Sequence, residues 1–399
     1  ISLLCAAKDS GMTFAAIEKH AFRVWRYKRM LALLSSSVTA GLTVATLLLP
    51  SLSFAAFSAG TGIARVPNLT SSDQGYGIAL QSDGKIVVAG RCGESGAKLC
   101  VARLNADGSM DATFNANGAV PGKLVIDGLS MHTSSFLRAV KVAIAVDGKI
   151  VVATTCDVSN VDNFCLARLN PDGSYDEAFD GPDVANPGNG RFGLRITTSL
   201  GEALSDFALQ RIDGRIILVG QCANYACVAR LRSSDGSFDT DVGDFGLIGP
   251  AAADRPPSDP SVNGRLLFRF PSKFNSAGIS DAVAVETTNE GKIVIAGTCG
   301  TSALELCLTK FNRDGSFDTD FRGDSLPVGQ GGRVRIVTVD ESGNDVKQRA
   351  ADIKMQNDGR FLVQCGYFRT SSWSQCMYRI NSGGDVATSF SSSLPFPSE

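Results

Sequence analysis

Ten cysteines stand in five close pairs: Cys92/Cys100, Cys156/Cys165, Cys222/Cys227, Cys299/Cys307 and Cys365/Cys376. An eleventh, Cys5, lies near the start of the chain. Such thiols could bind metal or form disulfides. A tetrahedral zinc site takes four ligands, whereas each pair offers two and no histidine beside them. The first member lies eight residues after a turn glycine in four cases and six after it in the fifth. A shift of two keeps a side chain on the same face of a strand. The second member always lies three residues before a basic residue. Cysteines facing one another across an antiparallel hairpin come within disulfide reach. The spacing therefore predicts five bridges, each closing its own hairpin and stabilising it by roughly 2–3 kcal/mol through loop closure.

Other residue types offer less. The basic residue after each second cysteine is Arg103, Arg168, Arg230, Lys310 or Arg379. Five cations could ring an axis and hold an anion. They could equally pair with Asp111, Asp176, Asp239 and Asp318, which follow after the next turn, and features present in every unit of a repeat protein mostly serve packing. The stretches Asn105–Asp111 and Asn170–Asp176 resemble calcium loops, but Arg103 and Phe114 fall where an EF-hand needs its first and twelfth ligands. Asn and Asp there are expected to cap turns. A Ser-His-Asp triad could use only His132 of the two histidines, His20 and His132, and no GxSxG elbow is present. Paired carboxylates could still cleave glycosidic bonds, yet no spacing singles out a pair. No catalytic residue, metal ligand or cofactor site is assigned. The unrepeated residues Phe368, Arg369 and Trp373 occupy the last hairpin tip, with Tyr225 and Phe164 at equivalent tips. These could contact carbohydrate or protein, or each ring could cover its own disulfide.

The elements that position these residues form a repeat. The stretch DGKIVVAG from Asp83 returns as DGKIVVAT from Asp147, DGRIILVG from Asp213, EGKIVIAG from Glu290 and DGRFLVQC from Asp358. Each is followed by a second landmark, such as VARLNADGS from Val101 or LARLNPDGS from Leu166. A third element opens with glycine and a basic residue: GKLVI from Gly122, GRFGLRI from Gly190, GRLLFRF from Gly264 and GRVRIVTV from Gly332. Repeats of this length are read before any local motif. The Asp-Gly pairs suit two-residue hairpin turns. The continuous Ile-Val-Val runs are apolar on both faces, so both faces must be covered. About four strands per unit follow, the glycine-basic strand opening each one and Ile63–Leu69 opening the first. Four antiparallel strands, five times over, predict an all-β, five-bladed β-propeller of four-stranded blades. An open β-solenoid of stacked sheets is the alternative. The units span approximately residues 62–118, 119–180, 188–246, 262–322 and 330–390.

The DGKIVVAG…ARLNxDGSxDxxF pattern resembles the delta-60 repeat family, which is grouped with β-propeller domains of bacterial exported proteins. The resemblance covers most of Gly75 to Phe390 and departs in the fifth unit, where Gly383-Gly384 and Gln364-Cys365 break the pattern. It implies a propeller fold and a bacterial envelope or secreted setting, and no established activity.

Upstream, Arg23, Arg26, Lys28 and Arg29 precede an uncharged run over residues 31–49, and Ser53-Phe54-Ala55 places small residues before Ala56. This is the order of a secretory signal peptide. Residues 30–55 are read as that peptide, residues 1–29 as a leader or a mis-called upstream segment, and residues 56–399 as the five-repeat domain. Export agrees with the cysteine pairing, since disulfides persist in oxidising compartments. The net charge of −2 carries no nucleic-acid footprint, and no membrane contact is expected after cleavage. The expected function is an exported, disulfide-stapled propeller serving as a binding or scaffold module for an unknown protein or carbohydrate. The alternatives are a carboxylate-based propeller hydrolase or lyase acting on glycans, and a structural surface protein.

Overall fold

The computed structural model describes residues 63–387, except 65, 67–72, 94–97, 132–139, 159–160, 183–188, 198–201, 241–263, 271–278, 301–303, 324–330, 339–344 and 370–371. The signal-peptide residues, His132 and most of the first glycine-basic segment lie outside them. Every described element is a β-strand, and no helix among the described residues is long and apolar enough to cross a membrane.

Five antiparallel blades follow one another along the chain, a five-bladed β-propeller. Blade 1 holds β1 (Gln74–Leu80), β2 (Ile86–Cys92), β3 (Lys98–Leu104) and β4 (Lys123–Met131); blade 2 holds β5 (Val140–Ile144), β6 (Ile150–Val158), β7 (Val161–Leu169) and β8 (Arg191–Leu194). Blade 3 is β9 (Glu202–Leu209), β10 (Ile216–Cys222), β11 (Tyr225–Leu231) and β12 (Arg265–Phe268). Blade 4 is β13 (Ile279–Thr287), β14 (Ile293–Gly300), β15 (Glu305–Phe311) and β16 (Arg333–Ile336). Blade 5 has three described strands, β17 (Lys347–Met355), β18 (Phe361–Arg369) and β19 (Ser372–Ile380). The end of β4 crosses to β6, Met131 opposite Cys156, and so ties blades 1 and 2 into one sheet.

Two local expectations are corrected. The glycine-basic strands close the preceding blade instead of opening the next: β4 pairs with β3, β8 with β7, β12 with β11 and β16 with β15. The carbonyl of the leading glycine fixes this, because Gly122 O accepts from Arg103 N, and Gly190, Gly264 and Gly332 do the same for Arg168, Arg230 and Lys310. The Asp-Gly turns are not two-residue loops. Gly84 N donates to Gln81 O and Gln81 N to Lys85 O, so the first loop has three residues, with Gly84 at φ 85°. A type I turn closed by a glycine in the left-handed region gives this geometry.

Packing explains why the strands are apolar on both faces. Forward faces carry residues such as Val87, Ala89, Leu99 and Val101 of blade 1, which bury against Val140, Val152, Cys165 and Ala167 on the back of blade 2. Equivalent clusters join blades 2 and 3, 3 and 4, and 4 and 5. Among the described residues no such cluster joins blade 5 to blade 1. Ile78 and Leu80 on the back of blade 1 are 72% and 70% exposed.

All five disulfides form with the predicted partners, Cα–Cα distances running from 4.9 to 6.1 Å. Four join diagonal neighbours. Cys100, for instance, lies opposite Gly90, two residues before Cys92. In blade 5 Cys365 and Cys376 are directly opposed, which accounts for the shift of two in the sequence. Disulfides of this number are typical of exported proteins.

Candidate functional site

Four of the five repeated cations lie between blades, each paired with a carboxylate. Arg103 Nε stands 2.6 Å from Asp111, with Arg168–Asp176 and Arg230–Asp239 at the same distance and Lys310–Asp318 at 3.1 Å. In blades 1 to 4 the basic residue after the Asp-Gly or Glu-Gly turn reaches the same carboxylate: Lys85, Lys149, Arg215 and Lys292. Each strand cation also donates to a turn carbonyl of the next blade, Arg103 to Pro171, Arg168 to Ser233, Arg230 to Arg313 and Lys310 to Ser382. This is a latch between neighbours. Burial pushes the Asp111 carboxyl up, but hydrogen bonds from Thr113 and the charge of Arg103 outweigh it and hold it at about 2. Blade 5 has Arg379 at the cation position and Ala387 in place of the aspartate.

The calcium-like turns are spent locally. Asp107 Oδ1 accepts from Ser109 N and Oγ, and Asp172 and Asp314 repeat the pattern with Ser174 and Ser316. Cys299, Glu305 and Cys307 come within ligand distance of one another, but both sulfurs are joined in a disulfide.

Buried carboxylates tie elements together. Burial pushes Glu202 up, against hydrogen bonds from the amides of Ile196 and Thr197. Asp206 is raised by burial as well, and holds Lys141 at 3.1 Å and the amide of Val285. Asp281 is raised to about 6 by burial, opposed by the charge of Arg349. A groove of about 520 Å³ between blades 2 and 3 is lined by Asp147, Asp213, Arg168 and Arg211. Both of its acids accept from backbone amides of their own turns, Lys149 and Arg215.

The aromatic candidates separate. Phe164 is fully buried on the forward face of blade 2 and belongs to the core against blade 3. Tyr225 is half-buried, with the Arg269 guanidinium 4.3 Å from its ring centre. Phe368 and Trp373 come together across β18 and β19, ring centres 5.4 Å apart, with Trp373 46% exposed. Arg349 lies 5.0 Å over the indole. Arg369 pairs with Ser372 at the hairpin end. Sequence reasoning missed Arg349, because its strand carries no turn or cysteine landmark. The alternation of β17 against β18, which puts Arg349 opposite Gly366, could have found it.

The sequence matches the family model described as "Domain of unknown function (DUF5122) beta-propeller" at residues 81–114, 147–179 and 289–321. No curated protein matches it. Among solved structures, the Dos1 propeller is similar at 12% identity and a TM-score of 0.43, over 80% of this chain and 61% of that one. A protein of unknown function from Dyadobacter fermentans gives 9% identity and a TM-score of 0.43, over 82% and 84%. An endo-arabinase from Bacteroides thetaiotaomicron gives 9% and 0.33, over 76% and 92%. This chain thus spans less than two thirds of the Dos1 propeller's length. Three separate matches to one repeat family, on sheets that fold as successive blades, make this a protein built from β-propeller repeats.

Proposed function

We propose that this chain is an exported, disulfide-stapled β-propeller acting as a binding or scaffold module whose ligand meets it at the last blade. The observation that carries the reading is the exposed Trp373 on Phe368, the two candidate rings that meet on a face no described blade covers. A large aromatic left in water against a second ring is informative. Export is supported by the basic-apolar-small order of residues 23–56 and by five disulfides. The carboxylate hydrolase reading would need two acids free to act in one pocket, and Asp147 and Asp213 are engaged in their turns.

Two measurements test this. Mass spectrometry of the protein recovered from a secreting host should find a chain beginning at Ala56 with all ten remaining cysteines oxidised; a retained leader or free thiols would remove the export reading. Screening the folded protein against glycan and protein arrays should give ligands that Trp373→Ala weakens about tenfold or more, in line with the loss of a stacking contact. Ligands indifferent to that change would move the site elsewhere.

A further inference from the structure

We infer that the forward face of blade 5 binds an acidic polysaccharide; this rests on the binding-module reading and names its ligand class. The residues facing away from blade 4 follow from the register. Phe361, Val363 and Cys365 bury against blade 4, so Leu362, Gln364 and Phe368 point the other way, and their cross-strand partners share that face.

In blade 1 the forward positions of the second and third strands are Val87, Ala89, Leu99 and Val101, all buried. In blade 5 the corresponding residues are Leu362, Gln364, Gln375 and Met377, two of them amides. β17 and β19 add four cations to the same face, Lys347, Arg349, Lys354 and Arg379, against one acid, Asp352, which Lys354 holds at 3.6 Å. Lys347, Arg349 and Lys354 are exposed.

A sheet face left in water needs polar residues for solubility, and mixed charges would serve that end. This face is instead strongly of one sign, on a chain whose net charge is −2. It also keeps the Trp373–Phe368 pair in water, which works against solubility. Cations beside planar amides and an exposed aromatic pair suit a polymer that presents both carboxylates and the apolar faces of sugar rings. Guanidinium binds carboxylate through two parallel hydrogen bonds, and the indole supplies a flat apolar surface with a polar edge. Charge complementarity makes the occupant an anionic glycan in preference to a neutral one.

The test is affinity electrophoresis of the full exported protein in gels containing polygalacturonate or neutral dextran. Retardation is expected in polygalacturonate only, and about 0.5 M NaCl should abolish it, because exposed charges are screened within a few ångströms at that ionic strength. The exposed double substitution Lys347→Gln/Lys354→Gln should weaken retardation about tenfold while leaving the circular dichroism and disulfide content unchanged. Trp373→Ala should weaken it independently. No retardation in polygalacturonate, or equal retardation of the lysine variant, overturns the inference. So does stronger binding of single-stranded DNA or anionic phospholipid vesicles than of polygalacturonate. If dextran retards the protein in a Trp373-dependent way, the acidic ligand falls and the binding module stands. If no polymer or array ligand responds to Trp373→Ala, both fall.

Discussion

Arg230 has a fully buried side chain, and its carboxylate partner Asp239 is as deeply placed. Such a pair is costly to break, because removing one partner strands the other charge in a low-dielectric interior. Asp239→Ala is therefore expected to lower unfolding free energy by about 3–5 kcal/mol, read from urea midpoints. A loss below about 1 kcal/mol would mean that the turn carbonyl of Arg313 satisfies Arg230 without the carboxylate. Asp281 is the opposite case. Its Oδ1 is buried without a hydrogen-bond partner, and its pKa is raised to about 6 from 3.8. The folded state holds that proton more tightly than the unfolded state does. Stability should thus fall as pH rises from about 4 to 6 and stay lower above that. Asp281→Asn should gain on the order of 1 kcal/mol at pH 7.5, after allowance for partial solvent screening, and almost nothing at pH 3.5. Equal gains at both pH values would show that packing, not charge, is responsible.

At the scale of the element, bulges in the first strand of a blade press a carbonyl against the second. A Cβ on Gly220 would lie 2.0 Å from Ala203 O and 2.8 Å from the Phe164 ring. Gly220→Ala should cost about 1–3 kcal/mol by overpacking, visible as a lower thermal midpoint with the Cys222–Cys227 bridge still intact. An unchanged midpoint would mean that β9 can move. What was legible in the sequence shares this local character. Turn glycines, cysteine pairs and the cation–aspartate spacing are short-range chemistry repeated in each unit, so repetition amplified them. Blade boundaries were not legible, because a glycine-basic strand reads the same whether it ends one sheet or begins another. Only the bond from Arg103 N to Gly122 O decides it. The aromatic tips failed for a related reason. Phe164 and Trp373 both sit near hairpin ends, but blade 3 covers the first and no described blade covers the second. The turn loops gained a residue because an Asp-Gly pair is compatible with more than one hairpin geometry.

Across the whole molecule, stability passes from blade to blade through four apolar junctions, and the two ends of the series differ. The back of blade 1 is apolar, with Ile78 and Leu80 largely in water. The front of blade 5 carries Gln364 and Gln375 at places where inner blades carry core residues. The fifth unit departs from the repeat pattern on this face, and Ala387 stands where the other blades carry the latch aspartate. Blade 5 covers the front of blade 4. Beneath it lie Val294, Ala296, Leu306, Leu308 and Phe321, all buried. A chain stopped after Thr338 would expose this layer as one contiguous apolar surface, and surfaces of that kind drive association. Such a chain is expected to aggregate during refolding, while the full chain runs as a discrete species on size-exclusion chromatography. A truncated chain that stays monomeric and keeps its four remaining disulfides would show that blades 1–4 are self-sufficient, and would leave ligand contact as the sole reason for the polar character of blade 5.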